Sequence, residues 1–310
     1  KMILGITGHK GILGKSIINY IKKYEKSNYK ISLYKNNVLD FEKLGKWIDK
    51  IDIILHLAAV TSIYEVNKNK KYAEQVNHLS VKFIVKKIKD INSNKKLIFI
   101  SSSHVYSSSN KKISENSLIN PSTYYGKLKY KSEKEIQRNL SNFIIIRLFS
   151  YYTPKQSKQF LIPALINKIK NIEGRKLKLK NYNNIRDIST IAYVTQQITS
   201  LIFKKFNGIV NCGSGNGISL ESLAKKIAYH KFKKNIEFDK KNDLFAGKLP
   251  FLPGEKLEYK ISYGVKKNKS GILLAAFAET CIKDTLFYNL PSFAITASGK
   301  TTRIFSLFIC

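Results

Sequence analysis

The chain has 310 residues, with 55 lysines and arginines against 21 aspartates and glutamates, giving a formal net charge of +34. At 43% hydrophobic and 12% aromatic it is too apolar for a disordered polycation, and no run approaches the ~18 uninterrupted apolar residues of a membrane span. Cys212, Cys281 and Cys310 are odd in number and widely spaced, which fits neither a disulfide framework nor a zinc site.

The first residues run straight into an apolar strand pattern, so no cleaved leader is expected, and a reducing, cytoplasmic setting follows. The charge itself points to nucleic acid or an anionic surface, but its make-up argues otherwise. Only Arg138, Arg147, Arg175, Arg186 and Arg303 are arginines, whereas readers of nucleic acid favour arginine for bidentate contacts. Lysines are scattered through every segment up to about residue 270, with no basic stripe, so neither a specific nucleic acid nor a membrane partner is expected.

In chain order, Met2–Thr7 reads as a strand, followed by glycines and a helix over 11–24. A second strand is expected over 30–34, a short helix capped by Asp40, and a third, buried strand over 52–57. Residues 70–91 read as one long helix with Val76, Val81, Ile84, Val85 and Ile88 on one face. Strands over 97–101 and 143–148 flank a helix over 122–139. Further helices are expected over 159–172, 190–203 and after Ser219, with strands over 176–179 and 209–211. Alternation of this kind predicts a parallel sheet with crossover helices. Residues 271–310 carry only five charged side chains and stand apart in composition; their ASGKTT lacks the leading glycine of a phosphate loop and reads as chance.

Three motifs carry chemistry. Thr7-Gly8-His9-Lys10-Gly11-Ile12-Leu13-Gly14 lies between a strand and a helix, where glycines permit a tight turn and close backbone approach to a pyrophosphate. Tyr125 and Lys129 lie four apart on one helical face, and an ammonium beside a phenol is expected to lower its pKa. Ser101-Ser102-Ser103 closes a strand upstream, where a doubly wound sheet has its ligand crevice. As alternatives, the glycines make a tight turn only, the YxxxK is an accident of a Tyr- and Lys-rich chain, and the serines cap a loop.

In this order and at these spacings, the motifs resemble the extended short-chain dehydrogenase/reductase family of nucleotide-sugar enzymes over roughly residues 2–230. His56-Leu57-Ala58-Ala59, Asn77, the Ser102–Tyr106 segment, NPSTYYGKLKYKSE, Ile146–Phe149, Arg186-Asp187 and Val210–Gly215 each resemble a family segment. The resemblance implies a Rossmann-like doubly wound parallel sheet with a smaller α/β C-terminal substrate-binding domain. The expected division is a dinucleotide-binding domain over 1–150, a substrate-binding part over 151–270 and an atypical tail over 271–310.

It implies Ser102, Tyr125 and Lys129 as catalytic residues and NAD or NADP as cofactor. Gly8, Gly11, Ile12, Gly14, Asn37, Val38, Leu57, Ala58, Ala59 and Asn77 would hold the cofactor with Tyr125 and Lys129. Ser102, Phe149, Ser150 and Arg186 would hold the nucleotide-sugar, Arg186 on its pyrophosphate; no metal is expected. A homodimer is the implied assembly. An epimerase resembling UDP-glucose 4-epimerase is the expected activity, a reductase of nucleotide-linked 4-keto-6-deoxysugars the first alternative, and a non-catalytic cofactor-binding scaffold or sensor the second. Ser103 and His104 stand where 4,6-dehydratases of this family place Asp-Glu, which argues against that reaction. His104 reads either as a proton donor or as a solvated loop histidine. No acidic residue ends the second strand to favour NAD, and Lys35 there is able to meet a 2′-phosphate.

Overall fold

A computed structural model describes residues 1–24, 29–91, 94–109, 112–179 and 181–238, with the backbone of Phe293–Ile295 and Thr301–Arg303. The apolar runs of the N-terminal half form parallel strands β1 (Met2–Thr7), β2 (Tyr29–Leu33), β3 (Ile53–His56), β4 (Lys96–Ser102) and β5 (Phe143–Leu148). With β9 (Gly208–Cys212) they make a six-stranded sheet in the order β2-β1-β3-β4-β5-β9, every neighbouring pair parallel.

Alternation along the strands sorts their side chains between two helical layers. Leu4, Ile6, Ile98, Ile100, Ile144 and Ile146 pack with α1 (Ile12–Tyr24) and α8 (Ile191–Ile202). The intervening Ile54, Leu97, Phe99 and Ile145 pack with α2 (Phe41–Ile48), α5 (Ser80–Asp90) and α6 (Tyr124–Asn139). Both faces are covered, which is why these strands read as continuous apolar runs. This is the Rossmann-like doubly wound arrangement. Asp40 caps α2 as expected, its carboxylate accepting from the Lys43 N–H.

The long helix expected over 70–91 is instead α4 (Lys70–Glu74), a π-wound turn (Gln75–Leu79) and α5. The wider turn lets three consecutive residues, Val76, Asn77 and His78, all be buried. A short helix α3 (Ile63–Lys68), started by Ser62, precedes it and was not anticipated.

Beyond β5, a three-stranded sheet forms from β6 (Ser150–Tyr152), β8 (Ile185–Thr190) and β10 (Gly217–Ser219). Strand β8 is central, parallel to β6 and antiparallel to β10. Helices α7 (Leu161–Lys170) and α9 (Leu220–Phe232) and the parallel pair β7 (Lys176–Leu177) and β11 (Glu237–Phe238) complete this part. The chain divides into two units, residues 1–259 and 260–310. In the second, β12 (Phe293–Ile295) and β13 (Thr301–Arg303) pair antiparallel. The boundary expected at residue 270 lies outside the described residues, as do Cys281 and Cys310. No described helix is long and apolar enough to cross a membrane.

Candidate functional site

The glycine loop closes the C-terminal end of β1. Gly8 adopts φ +66°, and a Cβ there would lie 2.6 Å from the Ala58 nitrogen. A Cβ on Gly14 would lie 2.6 Å from the Gly8 carbonyl oxygen, so α1 packs against the loop only because that side chain is absent. Gly11 N–H donates to the Gly8 carbonyl at 3.0 Å, and α1 starts at Ile12, placing the positive end of the helix at the turn.

Thr7 ties this loop to the end of β3. Its hydroxyl accepts from the N–H groups of Leu57 (3.2 Å) and Ala58 (3.3 Å) and pairs with His56 Nδ1 at 3.0 Å. Leu57, Ala58 and Ala59 are therefore brought beside Gly8, each partly exposed. Asn77 reaches the same region indirectly. Its buried amide accepts from Val60 N–H (2.8 Å) and donates to Val60 C=O (2.9 Å), clamping the backbone that follows Ala59. Asn37 and Val38 follow β2, where the Asn37 side chain accepts from Leu39 N–H and Val38 is buried. The turn at Gly8, the exposed backbone after β3 and the helix N-terminus fit a diphosphate.

The end of β4 and one face of α6 supply the second part. Thr123 caps α6 through Gly126 N–H, and a Cβ on Gly126 would collide with the His104 carbonyl. That contact sets the start of α6 against the 3-10 turn Ser103–Val105, so Tyr125 lands beside Ser102 and hydrogen-bonds it. One turn on, Lys129 Nζ donates to the Ile100 carbonyl at 2.8 Å and lies 4.6 Å from the centre of the Phe99 ring and 5.8 Å from that of Tyr125.

The expected lowering of Tyr125 is not what this arrangement produces. Burial pushes its phenol up, with Ser102 pulling the other way, and burial holds Lys129 down to about 7 against the Glu133 carboxylate. The reason is geometric: the Lys129 ammonium group is turned to a backbone carbonyl. His56, buried at the end of β3, is pushed down to about 3 by burial and by Lys129, and its Nε2 has no hydrogen-bond partner among the described residues.

Arg186, 84 positions away in sequence from Ser102, comes to the same crevice on β8. Its positive charge, after burial, holds His104 down to about 4. The His104 ring meets Tyr125 edge-on, with centroids 5.8 Å apart at 78°. Burial lowers Arg186 itself to about 10. The adjacent Asp187 anchors the turn after β9, accepting from Ser214 N–H (3.0 Å), Ser214 hydroxyl (2.7 Å) and Gly215 N–H (2.8 Å). Phe149 is buried next to Tyr106, while Ser150 is exposed.

Beneath this crevice lies a closed polar network that sequence reasoning had not connected. Arg147 donates Nε to both Glu133 oxygens (3.1 and 3.2 Å), Nη2 to Oε2 (2.8 Å), and Nη1 to the Tyr106 hydroxyl and Glu115 carbonyl (both 3.0 Å). Ser101 donates to Glu133, and the Tyr106 hydroxyl donates to Asn211 Oδ1 at 2.6 Å. Burial works against the Arg147 charge, but the Glu133 carboxylate and the Tyr106 hydroxyl together offset it and hold the guanidinium above its ordinary value.

The family model described as the RmlD substrate binding domain matches residues 2–234, three quarters of the chain. The chain belongs to the RmlD substrate-binding-domain family.

Among known members and neighbours, this RmlD-family chain is 28% identical over 270 residues to a dTDP-D-glucose 4,6-dehydratase of Dictyostelium discoideum, covering 72% of the chain and 60% of that protein. It spans under two thirds of the length of the curated relatives it matches. Two crystal structures share its fold. UDP-glucuronic acid 4-epimerase from Bacillus cereus, in complex with UDP-glucuronic acid and NAD, superposes with a TM-score of 0.67 at 20% identity, covering 82% of this chain and 88% of that one. The dTDP-4-dehydrorhamnose reductase of Bacillus anthracis, in complex with NADP, gives 0.64 at 20%, covering 77% and 83%.

One crevice residue of this RmlD-family chain was not singled out from sequence. Tyr151, the middle residue of β6, is close enough to Tyr125 for its charge to raise that phenol, and burial raises Tyr151 itself. The signal was strand alternation after Phe149, which puts Ser150 outward and its successor inward. No group of three or more His, Cys, Asp or Glu among the described residues is placed to hold a metal ion.

Proposed function

We propose that this protein is an NAD(P)-dependent nucleotide-sugar epimerase acting at a sugar carbon through Ser102, Tyr125 and Lys129. What supports the reading is the convergence of these three side chains at the end of β4 with the glycine loop that closes β1 in the same sheet. Gly8, Gly11, Ile12 and Gly14 would hold the cofactor diphosphate, with Leu57, Ala58 and Ala59 alongside and Asn77 fixing the backbone after them. NAD(P), when bound, supplies a hydride acceptor and donor.

Tyr125 Oη takes the proton of the reacting hydroxyl and returns it, and Ser102 Oγ hydrogen-bonds the same sugar oxygen. Lys129, once its ammonium faces the phenol, favours the phenolate. Arg186 and the residues from Phe149 to Tyr151 would hold the nucleotide-sugar, the guanidinium on its diphosphate. We carry a homodimer as the assembly that goes with this family resemblance.

The alternative within the same chemistry is a reductase of nucleotide-linked 4-ketosugars. It is favoured by the raised Tyr125 phenol, a proton donor rather than an acceptor in the resting arrangement. Incubation with a panel of UDP-, dTDP- and GDP-sugars and NAD(P)H separates the two. Epimerised product with no net change in cofactor absorbance supports the epimerase. Stoichiometric oxidation of NAD(P)H with a ketosugar transfers the assignment to the reductase. No turnover of any panel member would remove both.

A further inference from the structure

His56 is the one polar side chain of β3, whose other members Ile53, Ile54 and Leu55 are buried and apolar. It is itself 2% exposed and sits between its register partners, Thr7 on β1 and Phe99 on β4, with its ring 6.3 Å from that of Phe99 and inclined by 21°. A buried imidazole whose Nε2 has no partner among the described residues is a burden on folding that an apolar residue here would avoid. What the ring supplies lies at its other nitrogen. Thr7, wholly buried, accepts from the Leu57 and Ala58 N–H groups, which uses both lone pairs of its hydroxyl oxygen. Its one proton is left to donate, and His56 Nδ1 lies 3.0 Å away to receive it. That count assigns a neutral imidazole with its hydrogen on Nε2. Burial, helped by the Lys129 charge, pushes the ring down to about 3, so Nδ1 stays an acceptor at neutral pH.

We propose that His56 is a positioning residue for the dinucleotide: by taking the Thr7 proton it keeps the Thr7 hydroxyl on the Leu57 and Ala58 N–H groups, and so fixes the spacing of the two backbone segments that border the diphosphate. The inference rests on the cofactor-binding part of the reading above. The two segments meet at Gly8, which passes so close to Ala58 that no Cβ fits between them. A small change in the Thr7 tie therefore alters both sides of the site. Without an acceptor at Nδ1 the hydroxyl proton is forced to turn toward one of the two N–H groups, and the tie opens. His56, buried behind Thr7, acts only through it.

Three substitutions place a hydrogen-bond acceptor differently. Asn carries its carboxamide oxygen close to the position of Nδ1, Gln carries it one bond further out, and Leu carries none. NAD(P)H binding to each purified variant is titrated by fluorescence, with folding followed by circular dichroism. The expected result is a roughly 10-fold weaker affinity in His56→Leu and His56→Gln, the size of one lost hydrogen bond, with His56→Asn within about threefold of the wild type. Thr7→Val should weaken binding to a similar degree, and His56→Leu added to it should lose nothing further. Wild-type affinity in H56L overturns the proposal, and so does an equal loss in H56N and H56L, which reduces His56 to packing. A full additional loss in the Thr7→Val, His56→Leu double variant also overturns it. Should H56L not fold, H56Q against H56N, with Thr7→Val beside them, carries the same decision. A wild type that binds NAD(P)H but turns over no nucleotide-sugar removes the epimerase reading alone, and the binding series still decides this one. A wild type that binds no NAD(P)H overturns both together.

Discussion

Two ends of one face of α6 solve opposite problems. Tyr125, Lys129 and Glu133 follow at four-residue intervals, so all three reach the same strand, β4. At the inner end Glu133 meets Arg147 in a fork, and both side chains are almost fully buried at 0% and 3% exposure. Each group there has its complement, which makes the end of the sheet rigid. At the outer end Tyr125, His104 and Arg186 gather with Ser102 around a crevice, and burial displaces the ionisation of the first three, so a ligand bringing charge or hydrogen bonds changes their state. The two arginines carry the lesson. One is a structural fork, the other a positive charge held in a partly desolvated place.

Substitutions should separate the two ends cleanly. Tyr125→Phe is expected to lower turnover by about 10²–10⁴-fold with an unchanged melting temperature, since it removes a proton-transfer group and keeps the ring. A purified Y125F enzyme with wild-type kcat would break the comparison at its outer end. Glu133→Gln should act the other way round, costing about 3–5 kcal/mol of stability because Arg147 is left charged and uncompensated. Denaturant titration measures this, and adding Arg147→Met should recover much of the loss; a wild-type midpoint in E133Q would mean the fork is not structural.

Gly126→Ala joins the two ends. Its Cβ meets the His104 carbonyl, so a cost of about 1–3 kcal/mol is expected together with impaired kcat, from displacement of Tyr125. A normal melting curve with normal kinetics would show that this contact yields without consequence.

Lys129→Met gives a smaller effect with a definite sign. Below about 7 both the folded and unfolded chains carry the Lys129 proton, and between about 7 and the ordinary value of 10.5 the unfolded chain alone does. Stability from this group therefore rises with pH across that window. The melting temperature of the wild type should gain on that of K129M between pH 7 and pH 9, and a constant difference would contradict the buried, carbonyl-bound placement. Least of all, removing the exposed Glu42–Lys46 pair on α2 should leave the melting temperature unchanged, a control for the general effect of altering charge in so basic a chain.

What could be read in the sequence follows from range of interaction. Strands β1, β3, β4 and β5 are buried on both sides by helices, so their apolar runs declare them. The cap at Asp40 and the glycines at 8, 11 and 14 are local signals, and they were legible for that reason. Strand β8 was not: Ile185–Thr190 is half polar, because Asp187 serves a turn after β9 and Arg186 serves the crevice, which leaves no alternation of apolar residues to see. The break in the 70–91 helix was hidden because hydrophobic spacing continues through α5, while the cause lies in Asn77 binding Val60 across 17 residues. Arg147 was visible in the sequence only as one of five arginines and as part of a segment resembling a family strand end. Its partner was not, since nothing local connects it to Glu133.

The π-wound turn over Gln75–Leu79 has a consequence for how such a site is altered over time. Hydrogen bonds that span five residues instead of four enclose one residue more than a regular turn, so shortening this turn by one returns an ordinary α-helix. The apolar faces of α4 and α5 would stay in phase with the core they now cover. What would be lost is the simultaneous reach of Asn77 to Val60 and of His78 to Ser132. The clamp beside the proposed cofactor site is thus a separable addition to the scaffold. A lineage can gain or discard it by a single codon without rebuilding the helix that carries it.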